Sequence, residues 1–139
     1  VADLIAYWDT CAVMAALLRE AHSERAERLA SRPGLHLLST LTWAEAQATL
    51  ARLRRERRAA DVLVDAAEEA LLAGPWRRVL APPPWDAVRL AARRHALRGA
   101  DLWHLASCIG LRDELPGLAL VTFDRELADA ARADGFDVP

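Results

Sequence analysis

The chain has 139 residues, 53% of them apolar and 27% charged, which excludes a disordered or fibrous polypeptide and gives one domain, 1–139, with a core of its own. No apolar run approaches the roughly 20 residues of a membrane span, and Val1 to Trp8 carries neither a basic lead nor the long apolar stretch of a signal peptide, so a cytoplasmic protein is expected. The net charge of −2 hides an asymmetry: every base is Arg, whose fork suits phosphate, although a chain that also lacks Asn and is rich in Ala and Leu points to a GC-rich genome.

Leu4 to Trp8 (LIAYW) is a short apolar run that reads as a buried strand, followed by Asp9 or Thr10 as cap of a helix over Ala12–Glu20. Ser23 restarts a helix to about Ala30, stopped by Pro33-Gly34, and Leu35 to Ser39 reads as a second strand. Thr40 or Thr42 opens a long helix through the run Arg52–Arg58, with Thr42 and Glu45 spaced as a capping box. A further helix over about Ala60–Ala73 makes the pair a helical hairpin with an apolar face for a partner.

Trp76–Leu80 reads as a short strand, and after the stiff Pro82-Pro83-Pro84 a helix resumes over about Trp85–Leu97. Asp101 is expected to cap the next helix, to about Leu111. Leu118–Phe123 (LALVTF) is the clearest buried strand, Asp124 caps a helix to about Ala133, and Phe136–Val138 closes the chain as a strand. Short apolar strands alternating with amphipathic helices make an α/β fold with a mostly parallel sheet.

Ligands of such sheets bind beyond the carboxyl ends of the strands. Asp9 and Asp124 end strands there, Glu45 lies in the first turns of the helix after the second strand, and Asp101 opens a helix after a Gly-bearing turn. Four carboxylates at one edge repel one another unless a cation neutralises them, and all-oxygen ligands suit Mg²⁺ or Mn²⁺. Such an ion polarises a phosphoryl oxygen and activates water, the chemistry of a metal nuclease. Each Asp is equally well explained as a helix cap, and Glu45 as half of a capping box, so the constellation says more than its members.

The two thiols, Cys11 and Cys108, fit no zinc spacing and read as small buried hydrophobes. His104 shares a helix face with Asp101 and reads as a half-covered helix residue rather than a ligand. Trp8 is expected in the core; Trp43 and Trp103, each near a site acid, are core or wall. Arg52–Arg58 suits a solvated helix end, with phosphate contact the functional alternative, and Arg77, Arg78, Arg93, Arg94 and Arg98 are further candidates.

Four segments in order, YWDTCAV, LSTLTWAEAQ, LRGADLWHLASC and LVTFDRELADAARADGF, resemble the PIN domain family, and within it the VapC-type toxins of bacterial toxin–antitoxin pairs. The resemblance implies a three-layer α/β/α sandwich with a central mostly parallel sheet. It also implies an endoribonuclease that cuts tRNA, rRNA or mRNA, with Asp9, Glu45, Asp101 and Asp124 holding Mg²⁺ or Mn²⁺. Thr10 and Thr122 would hold water or carboxylates, and Asp129 would be a surface acid. A homodimer and an antitoxin protein are the implied partners. Cys11 stands where the family usually has Ser, which removes a hydroxyl bond without touching the acids. The rivals are a catalytically weak PIN-like RNA- or protein-binding module and a haloacid-dehalogenase-like phosphatase. The second needs another Asp two residues after the first, where this chain has Cys11.

Overall fold

The computed structural model describes residues 2–139; Val1, the first residue of the segment read for a leader, lies outside them. The elements run β1 (Leu4–Trp8), α1 (Thr10–Leu17), α2 (Ser23–Ala30), β2 (Gly34–Ser39), α3 (Thr40–Arg55), α4 (Asp61–Ala73), β3 (Trp76–Val79), α5 (Trp85–Arg94), α6 (Gly99–Leu111), β4 (Ala119–Val121) and α7 (Arg125–Ala133). The strands form one sheet in the order β3-β2-β1-β4, every pair parallel. Among the described residues no helix is long and apolar enough to cross a membrane.

The alternation of side chains along β1 divides the core in two. Leu4, Ala6 and Trp8 face a cluster with Val13, Leu29, Leu50, Val64 and Leu71, drawn from α1 to α4. Tyr7 faces the other, with Ala91, Leu105 and Leu127 from α5, α6 and α7. Helices therefore cover both faces, and the three-layer α/β/α sandwich expected of the sequence is the fold.

Two buried polar side chains of the first core, those of Trp8 and His36, pair with each other. Trp8 Nε1 donates to His36 Nδ1 at 3.1 Å, while His36 Nε2 lies 2.8 Å from the carbonyl of Arg32, so the neutral ring accepts at one nitrogen and donates at the other. Gly34, at φ +140°, opens β2 opposite Leu4; a Cβ there would lie 1.9 Å from the Leu4 carbonyl oxygen.

Several boundaries differ from the sequence reading, each for a physical reason. Helix α1 starts at Thr10 and ends at Leu17, because Asp9 is its cap and the Ser23 hydroxyl takes the Leu18 carbonyl. The cap of α3 is Ser39, whose hydroxyl accepts from the Thr42 amide at 3.2 Å, so Thr42 and Glu45 form no capping box. The cap position of α6 is Arg98, which leaves Asp101 in the first turn. Helix α5 stops at Arg94 where His95 turns extended. Strand β4 is three residues long because Thr122 leaves the ladder, and the closing strand reduces to one bridge, Asp137 with Ala119. The hairpin forms: Arg54 of α3 reaches Asp65 of α4 at 2.6 Å, and Asp61 and Glu68 lie within 4 Å.

Candidate carboxylate site

Parallel pairing places the carboxyl ends of β1 and β4 side by side. Trp8 is in register with Val121, and the Asp9 amide donates to the Val121 carbonyl at 3.1 Å. Asp9 is therefore anchored to the last strand by its backbone as well as its side chain. Its Oδ1 accepts from the Ala12 amide at 2.8 Å, the α1 cap, and its Oδ2 accepts from the Thr122 hydroxyl at 2.5 Å. The same Thr122 oxygen accepts from the Asp124 amide at 3.1 Å, and Asp124 Oδ1 accepts from the Leu127 amide at 2.9 Å. Cap and candidate ligand are thus not alternatives here. Asp9 and Asp124 serve as caps and still carry an oxygen beyond the capping one.

Glu45 approaches from α3. With the capping box gone it has no helix-start role; its Oε1 accepts from the Thr10 hydroxyl at 2.7 Å, and Thr42 Oγ1 lies 3.3 Å from that hydroxyl. Thr10, at the start of α1, thus ties Glu45 to the strand end that carries Asp9. Asp101 comes from the first turn of α6, where the helix dipole favours a negative charge.

The electrostatics join the four. Burial pushes the Asp9 carboxyl up to about 6, opposed by the Thr122 and Ala12 bonds and reinforced by the charges of Asp101 and Asp124. The Asp101 carboxyl is likewise raised, by burial first and then by Asp124, with Glu126 and Glu45 adding and Arg98 opposing. Like charges therefore share one neighbourhood at one sheet edge. Among the described residues no three carboxylate, thiol or imidazole groups converge closely enough, as placed, to hold a single ion. Three of the four acids instead direct an oxygen to a donor within the chain.

The remaining sequence candidates sort clearly. His104 is buried with Nδ1 2.8 Å from the Tyr7 hydroxyl, and burial lowers its pKa to about 4, so it is a neutral core residue. Cys108 is buried as expected, but Cys11 is exposed, a correction: α1 turns it outward from the strand end. Partial burial and the charges of Asp9, Asp101, Glu20 and Asp124 push its thiol up to about 11, which rules out an activated nucleophile. Asp129 is a surface acid, 3.7 Å from Arg132. Trp8 is core; Trp43 is a wall under the Arg78 guanidinium, 4.4 Å from the ring centroid, and Trp103 lines an apolar cleft with Pro83 and Trp85.

Sequence reasoning missed two contributors, Ser39 and His22, and did not single out a third, Arg98, from the other Arg candidates. Ser39 was hidden because Thr40 and Thr42 offered rival helix starts. Arg98, beside Asp101, looked like one Arg among many. His22 stacks on Phe123, a pairing across 101 positions that leaves no local trace.

Known proteins resemble the chain in parts and as a whole. Two curated proteins of Mycobacterium tuberculosis, Ribonuclease VapC45 of strain CDC 1551 / Oshkosh and Ribonuclease VapC49 of strain ATCC 25618 / H37Rv, are each 52% identical over 44 residues. That match takes in 32% of this chain and 29% of each relative, so less than a third of their length is compared. The structure of PAE2754 from Pyrobaculum aerophilum superposes with a TM-score of 0.63 at 22% identity, over 97% of this chain and 83% of the other. VapBC2 from Rickettsia felis, bound to a DNA fragment from its promoter, gives 0.62 at 12% identity over 98% of both chains. At those identities the structural likenesses speak for the fold. The PIN domain model itself matches residues 6–133, from the first strand through the last helix with all four acids inside it, and the chain belongs to the PIN domain family.

Proposed function

We propose that the chain is a metal-dependent endoribonuclease that hydrolyses RNA phosphodiester bonds, and that it acts as the toxin of a toxin–antitoxin pair. The observation that carries the reading is the placement of Asp9: buried, at the end of the central strand, with the Thr122 hydroxyl on one oxygen and the charges of Asp101 and Asp124 beside it. The names of the two mycobacterial relatives support RNA as substrate, and VapBC2 supports a partner protein.

The donor set fits Mg²⁺ or Mn²⁺, because it consists of hard carboxylate and hydroxyl oxygens and because mutual repulsion at Asp9 and Asp101 calls for a positive charge. Asp9, Glu45, Asp101 and Asp124 would hold it. A bound dication supplies charge neutralisation and Lewis-acid polarisation of the scissile phosphate. The protein's own contribution is positional: Thr122 fixes the Asp9 carboxylate and the Asp124 backbone together, and Thr10 fixes Glu45. One of these carboxylates would take the proton of the attacking water, and we assign that role to Asp101, which is less buried than Asp9. A second copy or an antitoxin would cover the exposed Val62, Leu63 and Leu72 of α4. An enzyme acting on cellular RNA would work in the cytoplasm.

The rival reading, a module that binds RNA or protein without cutting, has one observation on its side: no three of the acids close on a common point. Incubating purified protein with a tRNA and rRNA pool, with Mn²⁺ or Mg²⁺, against EDTA and Asp101→Asn, separates the two. Cleavage lost in both controls is the expected result. RNA bound but uncut in every metal would favour the module.

A further inference from the structure

We propose that His22, stacked on Phe123 at the rim of the carboxylate cluster, is the platform on which an unpaired base of the RNA substrate stacks; this rests on the nuclease reading above. The two rings lie 4.6 Å apart and within 8° of parallel. Phe123 is half-buried against the core beneath α1 to α4. In the chain it stands between Thr122, which bonds Asp9, and Asp124, which caps α7. The aromatic stack therefore begins one residue from the acids and leads outward.

His22 is exposed, and Phe123 covers one side of its ring, which leaves the imidazole open on the other. The residue stands at the start of α2 yet makes no capping bond with its side chain. Its helix-start position is thus not what occupies the ring. The loop that carries it is tied down. The buried Ser23 hydroxyl donates to the Leu18 carbonyl at 2.6 Å and accepts from the Glu20 amide at 2.8 Å, while the Ala26 amide donates to the His22 carbonyl at 2.9 Å. A ring held in place in advance loses little freedom when a base lands on it. Every base has a π-face, so such a platform holds single-stranded RNA with little regard to sequence, and it requires the base to be unpaired.

The alternative is that His22 merely shields Phe123 from water. The pair His22→Leu and His22→Tyr separates the two roles, since Leu still covers Phe123 but offers no ring face. The probe is a short single-stranded RNA with 2-aminopurine beside the cleaved bond. Its binding is read by fluorescence quenching on the Asp101→Asn background, and its cleavage by the otherwise native protein with Mn²⁺. The expected result is a KM raised about tenfold in His22→Leu, with the loss on KM rather than kcat, quenching abolished, and both recovered in His22→Tyr. A His22→Leu protein that cuts RNA with unchanged KM and quenches normally overturns the platform and leaves the nuclease intact. A native protein that neither binds nor cuts the RNA with metal overturns both.

Discussion

Thr122 donates its hydroxyl to Asp9 Oδ2 at 2.5 Å across the junction of β1 and β4, and the same oxygen receives the Asp124 amide. One side chain thereby sets the spacing of two carboxylates 115 positions apart. Thr122→Val keeps the shape and removes both bonds. Groups that orient metal ligands in this way typically contribute about 10- to 100-fold in affinity or activity. Mn²⁺ titrations of RNA cleavage should show a loss in that range, with the curve moved to higher metal. An unchanged titration would mean that the hydroxyl serves packing alone.

Removing charge from the cluster should trade activity for stability. Asp101 is raised by burial and by its acidic neighbours, so Asp101→Asn relieves repulsion in the folded chain. In EDTA, its melting temperature should exceed that of the native protein; in millimolar Mg²⁺ the gap should close or reverse. A lower melting temperature in both conditions would contradict a cluster of repelling acids.

His104 gives a pH dependence of definite sign. Its folded pKa lies near 4 and the ordinary value is 6.5, so between these pH values the unfolded chain binds the extra proton. Its contribution to stability is complete above 6.5 and is lost as pH falls toward 4, by about 3 kcal/mol over the whole window. Asp9, raised to about 6, acts in the opposite sense across a largely overlapping window. The His104 part is therefore read as the difference between native protein and His104→Gln in urea unfolding with EDTA. That difference should shift in favour of the Gln variant as the solution is acidified, and a difference flat with pH would refute the buried neutral imidazole.

Gly34→Ala tests the register of the first two strands. The added Cβ meets the Leu4 carbonyl oxygen and the backbone sits at φ +140°, so either the β1–β2 pairing shifts or the chain bears the strain. The expected cost is about 3 kcal/mol or more, read from the urea midpoint. A loss below about 1 kcal/mol would show that the strand end can move aside.

The sequence disclosed most readily what depends on near neighbours. LIAYW announced a buried strand, and Asp9 and Asp124 announced helix starts through side-chain bonds to amides three residues on. It misled where two local solutions competed. Ser39 won the α3 cap over the Thr42–Glu45 pattern, and Arg98 took the α6 start from Asp101, because the ends of β2 and of the turn before α6 decide where each helix begins. Thr122 shortened β4 by turning to Asp9, a partner 113 residues away that no window of sequence contains. The four acids, and Thr10 and Thr122 beside them, could be proposed from strand ends and family likeness; which oxygen each hydroxyl bonds, and the ring of His22 over Phe123, belong to distances that only the folded chain creates.

The strand order carries a consequence for how the protein is made. β1 precedes the other three strands in sequence yet lies between β2 and β4, and its pairing with β4 joins Trp8 to Val121. A nascent chain on the ribosome can pair β1 with β2 and build the layer of α1 to α4 early. Asp9 then waits at an open sheet edge, without Thr122 or Asp124, until β4 has been translated. Contacts so distant in sequence also form slowly, since the long intervening loop must close before it is rewarded. The carboxylate edge can therefore close only once β4 is in place, after the layer of α1 to α4 has had the chance to form.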